Sequence, residues 1–443
     1  MGRLPSPSEG TSSCSRRIPS PTGVRTDASA KGFASYSCNS RHSSAPTLAM
    51  PTAPSFLLVT CQVGAEGALK GEVRRRWPGF RLSYSRPGFV TFKLPADEPL
   101  GDDFELGCVF ARAWAFSLGK AKGESVAELA DEAWRSATAS GRRFDAVHVW
   151  ERDRFTPGFK HFEPGPTPLG DEVRAAIIAA SSSTGSTKPD AATGQKPLPG
   201  GDAITPHGAT VLDCVLVERG EWWLGWHVAR SLESRLPGGM RRAELPPHAV
   251  SRAYLKMQEA LAWSRLPLHA GDTCLELGCS PGGAAQALLD RGAKVIGVDP
   301  AAVDPVVLAH PNFRHLRRRG KEVRRSELRD VRFLFADMNV APNYTLDAVE
   351  ALVTHEKARV EGLLLTLKLI EWKLADDLDA WLQRIRGWGY YDLCARQLQH
   401  NRQEICVSAL RRPTTRKRLA RAARLRRTAT SQRSKETTRE GSV

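Results

Sequence analysis

Apolar residues gather along this chain in short runs, and the spacing within each run indicates the element it can form. "FLLVTCQVG" (residues 56–64) is a compact run with β-branched content that ends in glycine, as a strand does. "EGALKGEVRRRWP" follows with helical spacing and stops at Pro78. "FRLSYSRPGFVTFKLP" alternates apolar and polar residues about an "RPG" turn, which predicts two strands of a hairpin. Strand, helix, strand, strand within some forty residues suggests a small split-βαβ, ferredoxin-like unit. "CVFARAWAFSLGKA" and "SVAELADEAWRSATA" continue it as strand and helix, and "FDAVHVWERDR" and "DEVRAAIIAASS" add another of each, so the region is taken as 50–180.

Residues 181–206 are poor in apolar positions and rich in Ser, Gly and Pro, a flexible connection or long loop. "TVLDCVLVERGEWWLGWHVA" then reads as a hairpin, and residues 207–248 are expected to join two domains. Trp222, Trp223 and Trp226 have two possible uses, core packing or base stacking. Core use is expected for Trp223 or its alternating neighbour.

From about residue 249 strands and helices alternate, the pattern of an α/β domain with a doubly wound sheet. In "DTCLELGCSPGGAAQALLDRGAKVIGVDP" a strand (Thr273–Leu277) enters a turn containing Gly278, Gly282 and Gly283, then a helix, then a second strand ending at Asp299. Glycines at such a turn admit a ligand close to the backbone, and an acid at the second strand's end is placed for ribose hydroxyls. The "SPGG" wording and Asp299 together favour S-adenosylmethionine over a dinucleotide. Further on, "VRFLFADMNVAP" ends its strand at Asp337, "EGLLLTLKLIEW" ends at Lys368, and Glu404 opens "EICVSAL". Ligands of open parallel sheets lie at the carboxyl ends of the strands. Asp337 and Lys368 sit at such ends, an antiparallel last strand brings Glu404 to the same edge, and Lys256 on the entering helix "SRAYLKMQEAL" closes the set. A lone lysine ending a leucine-rich strand is ordinarily one that snorkels to solvent; the family resemblance given below, which matches all four positions, favours a functional use for Lys368.

Composition narrows the partner. The 443 residues exceed one compact core, and 41% hydrophobic with 25% charged residues is usual for a globular protein. No run is long and apolar enough for a transmembrane helix. The formal charge of +16 points to a polyanion, although residues 411–443, with 12 Lys/Arg against 2 acids, supply +10 of it. That basic tail (413–443 beyond the last strand) is expected to be disordered and phosphate-seeking. Nine cysteines include no C-x-x-C pair, so zinc-site spacing is absent and a reducing, cytoplasmic setting is expected. Residues 1–49, rich in Ser, Pro and Arg, are expected to be a disordered extension. A myristoylation pattern and a transit peptide are weaker readings of it than a start at Met50.

The ordered set Lys256, Asp337, Lys368, Glu404 resembles the K-D-K-E tetrad of the FtsJ-type ribose 2′-O-methyltransferases, above all the bacterial branch acting on 23S rRNA. The carriers are "SRAYLKMQEA", an "LG-x-x-PGG" turn, a "DM" strand end, an "LKL" strand end and "ARQL-x-H-x-R-x-E", in that order. The resemblance is strong over 249–412 and fainter before, where the family carries a THUMP-related RNA-binding region. It implies a Rossmann-like S-adenosylmethionine-dependent methyltransferase domain with an antiparallel last strand, preceded by an α+β ferredoxin-like/THUMP-related domain. The implied cofactor residues are Glu276, Gly278, Ser280, Pro281, Gly282, Gly283, Asp299 and Asp337. Lys368 would be general base or the cation stabilising a forming alkoxide, Asp337 would orient it, and Lys256 and Glu404 would position the ribose and balance charge. The implied substrate is a cytidine of 23S rRNA; the reaction requires no metal or membrane, and the oligomeric state is not indicated. The chain departs from the family at Arg319 in "LRRRG", where an acid usually approaches the adenine, at Glu276 for an aspartate, and at Ala284 for a tryptophan. A non-catalytic RNA-binding relative and a methyltransferase of another RNA are the alternatives.

Overall fold

Strands form where runs of apolar side chains can be covered on both sides, and the computed structural model gathers them into two seven-stranded sheets. It describes residues 53–183, 198–199, 204–356 and 358–411; the expected extension 1–49, most of the 181–206 connection and the basic tail from 413 lie outside these.

The first sheet contains β1 (Phe56–Thr60), β2 (Arg81–Arg86), β3 (Phe89–Lys93), β4 (Ala113–Lys122), β5 (Ala146–Glu151), β6 (Thr210–Glu218) and β7 (Glu221–Val228). Their spatial order is β2-β3-β1-β4-β7-β6-β5. Helix α1 (Glu66–Arg76) joins β1 to β2, as the sequence pattern predicts, and β1 pairs antiparallel with both β3 and β4. No helix separates β3 from β4, where a ferredoxin-like unit carries one; a loop there buries Phe104, Leu106 and Phe110 instead. Helix α2 (Val126–Ala139) starts at Ser125, whose side chain accepts a hydrogen bond from the Glu128 N–H at 3.3 Å. Its Leu129, Ala133 and Trp134 pack with Val173 and Ile177 of α3 (Pro168–Ser183) on one face of the sheet.

The hairpin expected to join two domains is a correction: it lies within the first sheet, β7 pairing antiparallel with β4 and β6 parallel with β5. The reason is visible in β6, whose Val211 through Val217 are all buried, so both faces are covered as in a central strand. Trp222 and Trp226 face the helices and are buried, whereas Trp223 turns to the other face and stacks on Tyr84 at 5.5 Å.

The second sheet contains β8 (Thr273–Leu277), β9 (Lys294–Val298), β10 (Phe313–Leu316), β11 (Val331–Ala336), β12 (Gly362–Lys368), β13 (Asp392–Arg396) and β14 (Glu404–Leu410), in the order β10-β9-β8-β11-β12-β14-β13. β8 through β12 are mutually parallel, and β14 runs antiparallel between β12 and β13. This is the expected doubly wound α/β sheet with an antiparallel last strand. The connections carry α5 (Gly283–Leu289), α6 (Pro305–Leu308), α7 (Pro342–Val353) and α8 (Leu378–Gly387), with α4 (Ala253–Ser264) leading in. Strand order reverses between β8 and β11, which opens a crevice at their carboxyl ends. Among the described residues seven cysteines are free thiols, and no helix is long and apolar enough to cross a membrane.

Candidate active site

Asp337 directly follows β11 and Lys368 is the last residue of β12, so the parallel register of these strands places both at one edge. Glu404 is the first residue of β14 and lies opposite Lys368 in the antiparallel register. Lys256, one turn into α4, reaches the same point. The Lys256 ammonium contacts Asp337 Oδ2 at 2.6 Å and Glu404 Oε1 at 2.7 Å, and Lys368 contacts Asp337 Oδ1 at 3.0 Å and Glu404 Oε2. Two ammonium groups and two carboxylates thus alternate in a closed, formally neutral ring. Its side chains are 4% exposed at Glu404, 15% at Lys256, 19% at Asp337 and 24% at Lys368, so Lys368 is the member most open to an incoming ligand.

Burial alone would neutralise these groups, and the ring prevents it. Desolvation favours a neutral Lys256, but Asp337 and Glu404 outweigh it and hold its pKa above the usual lysine range. Burial likewise raises Asp337 and Glu404, yet Lys256 and Lys368 together keep both carboxylates below their ordinary values.

The loop before β14 positions Glu404. Asn401 donates to Glu404 Oε1 at 3.1 Å, and its own Oδ1 accepts from the Leu398 N–H at 2.8 Å. Glu259 of α4 accepts the backbone N–H groups of Gln399 and His400 at 2.7 and 2.9 Å, tying the helix of Lys256 to the loop of Glu404. Sequence reasoning assigned no role to Asn401 or Glu259.

The glycine turn lies beside the ring. Gly278 has φ +82°, and a Cβ there would stand 2.6 Å from the Asp337 carbonyl oxygen. Gly283 meets Ser251 and the start of α4 in the same way. These glycines therefore let the turn pack against the backbone that carries Asp337 and Lys256, in addition to any access they give a ligand. Asp299, after β9, accepts the Ser280 N–H at 3.1 Å and the Ala301 N–H at 2.8 Å, and the Ser280 hydroxyl donates to Ala302 O at 2.7 Å. Pro281 follows in a cis peptide, and Gly282, at φ +123°, lies against Val307. The opposite wall is the turn after β10: Gly320 lies against Leu277 and Met338, and the neighbouring Arg319 is exposed, its N–H bonded to the Glu322 carboxylate at 3.0 Å. Ala284 is buried in α5, where all seven residues are covered.

Glu276 tests whether a cationic cofactor suits this crevice. It is 1% exposed, and its Oε2 has no hydrogen-bond partner among the described residues. Burial, followed by the nearby charges of Asp337 and Asp299, pushes its carboxyl well above the usual range. An ammonium or sulfonium ligand would relieve that crowding of acids. The donor set of Glu276, Asp299 and Asp337 around a glycine turn fits S-adenosylmethionine.

A loop of the first region borders the ring. Arg402 donates to Pro157 O at 2.9 Å, and Arg252, one turn before Lys256, pairs with Glu163 at 2.8 Å. In the same loop Phe155 and Phe159 are 41% and 50% exposed, 5.7 Å apart, with the Lys160 ammonium within 6 Å of both rings.

Comparison with known proteins bears on the same segment. Residues 249–405 match the family model of the FtsJ-like methyltransferases. A protein of Laribacter hongkongensis named ribosomal RNA large subunit methyltransferase M is 30% identical over 210 residues, 45% of this chain and 56% of that protein. One of the same name from Xylella fastidiosa strain M12 is 31% identical over 179 residues, 39% of this chain and 50% of that protein. The chain thus spans about half the length of the curated relatives it matches. Residues 249–405, the stretch similar to the FtsJ-like methyltransferases, hold the glycine turn and all four members of the charged ring.

Proposed function

We propose that this protein transfers a methyl group from S-adenosylmethionine to a ribose 2′-hydroxyl of RNA, with a cytidine of 23S rRNA as the target. The observation that carries the reading is the closed Lys256–Asp337–Lys368–Glu404 ring beside the Gly278 turn. The names of the relatives support a large-subunit ribosomal RNA substrate. The +16 formal charge and the exposed Phe155–Phe159–Lys160 loop support an RNA strand laid across the ring, one base stacking on the phenylalanines.

The bound cofactor supplies an electrophilic methyl group on sulfur. Glu276 and Asp299 would hold its cationic and ribose groups beside the Gly278 turn and Asp337. Lys368, the most exposed ring member, hydrogen-bonds the 2′-hydroxyl and manages its proton as the oxygen attacks. Asp337 and Glu404 fix the position of Lys368, and Lys256 neutralises the carboxylate charge left over as Lys368 turns to the substrate. Alignment of oxygen and methyl group provides much of the acceleration.

The test is transfer of tritiated methyl from S-adenosylmethionine to large-subunit rRNA, followed by nucleoside digestion. A 2′-O-methylcytidine product is expected. Methylation at a base, or tight RNA binding with no transfer, would overturn the reading, the latter in favour of a non-catalytic RNA-binding relative.

A further inference from the structure

A second group of chemistry-bearing residues lies in the first sheet. His148 of β5 stands opposite Asp213 of β6 in their parallel register, and His227 of β7 is two residues from Gly225, the antiparallel partner of Asp213. All three project from the sheet face that carries Trp150 and Val215, opposite the face packed by α2 and α3. They are 3%, 0% and 4% exposed.

We infer that His148, Asp213 and His227 form a binding site for one divalent transition metal of the zinc class. One ligand atom from each lies within 4.8 Å of the others, the spread a central cation can gather. The outer nitrogens are already engaged: His148 Nε2 meets Thr205 Oγ1 at 2.8 Å, and His227 Nε2 meets the Ser234 carbonyl oxygen at 2.7 Å. Metal-bound imidazoles are oriented in this way, one nitrogen tied to a protein oxygen and the other left for the ion. Both Nδ1 atoms turn to Asp213: that of His148 stands open 4.0 Å away, whereas that of His227 is hydrogen-bonded to Asp213 Oδ2 at 2.5 Å, a bond that the ion would replace.

The independent observation is an unmet polar demand. His148 Nδ1 and Asp213 Oδ1 are both buried and both lack a hydrogen-bond partner among the described residues. Buried polar atoms are nearly always paired, and here two face the same interior point. Two imidazoles and a carboxylate are a donor set that zinc accepts, with the fourth position left for water. The three residues line a cavity of about 180 Å³ shared with Trp114, Ser231 and Ser234, which gives that water room. Such an ion would staple three strands to the segments of Thr205 and Ser234. It lies apart from the lysine ring and has no part in methyl transfer.

The test uses the full chain purified without chelators. Elemental analysis is expected to find about one equivalent of metal, and a cobalt(II)-loaded sample should show the visible bands of a tetrahedral N/O site. Zinc(II) added after chelator treatment should raise the Tm by several degrees, and His148→Ala should abolish both the bands and the zinc response. Wild-type protein that retains no metal, shows no cobalt bands and has the same Tm with zinc and with chelator would overturn the proposal. So would a His148→Ala protein that binds metal as wild type does. Should that variant fail to fold, the wild-type metal content and zinc response decide alone.

Discussion

Burial raises the pKa of Glu276 in the folded protein, and that sets a sign for the pH dependence of stability. Its native pKa lies well above the ordinary 4.5, so the stability it permits is complete below that value and is lost as pH rises toward the native pKa. The loss amounts to about 1.4 kcal/mol per pH unit for one proton. Glu276→Gln keeps the shape and removes the titration. Urea unfolding at a series of pH values upward from 4.5 should therefore show the variant gaining on wild type as pH rises, while calorimetry shows S-adenosylmethionine affinity reduced about tenfold or more. Parallel stability curves would contradict a raised Glu276 pKa in the native protein. The ring works in the other direction in acid. Asp337 and Glu404 have lowered pKa values, so their contribution is present above the ordinary carboxylate values and lost as pH falls below them.

At the scale of elements, the turn between β8 and α5 is held by backbone proximity. Alanine at 278 would place its Cβ against the Asp337 carbonyl and keep a left-handed φ, whereas Gly119, at φ +110°, has open space around it. Gly119→Ala should cost about 1 kcal/mol through backbone strain alone. Gly278→Ala should cost about 3 kcal/mol or more, because rigid backbone must also move. Thermal unfolding of the two variants measures the difference, and equal shifts would contradict the close packing. Strands β8, β11, β12 and β14 were legible in the sequence because they are largely covered on both faces and read as apolar runs, with Asp337 and Lys368 punctuating two of them, whereas the partly exposed β10 and β13 carry no such run. The place of the β6–β7 hairpin was not, since β7 pairs with β4 across about a hundred residues of chain and its short "ERGE" turn says nothing of distant partners. His148, Asp213 and His227 were equally hidden: they come from three strands without motif spacing, and only register brings them together. Lys256 could be named because its motif was familiar, while Glu259 and Asn401 act through backbone N–H groups and a neighbouring carboxylate, which sequence does not reveal.

Across the whole molecule, the two sheets meet where the reaction is proposed to occur. Arg402 and Arg252 clasp the 155–163 loop to the elements that carry Glu404 and Lys256. Base stacking on an aromatic is worth about 1–3 kcal/mol. Phe159→Ala should accordingly raise the KM for RNA about tenfold and leave S-adenosylmethionine affinity unchanged; an unaltered KM would remove the loop from the substrate path. Truncation after residue 412 deletes eight net positive charges, ten Lys/Arg against two Glu, so RNA affinity should fall and its dependence on salt should flatten. A salt slope identical to that of the full chain would leave the tail without a role in binding.

The ring itself is tested most directly by Lys368→Met assayed on large-subunit rRNA with tritiated S-adenosylmethionine. Removing a group that handles the reacting proton should slow transfer about a thousandfold or more, with calorimetry returning wild-type cofactor affinity. A variant that binds the cofactor normally and still methylates at the wild-type rate would show that Lys368 takes no part in the chemistry.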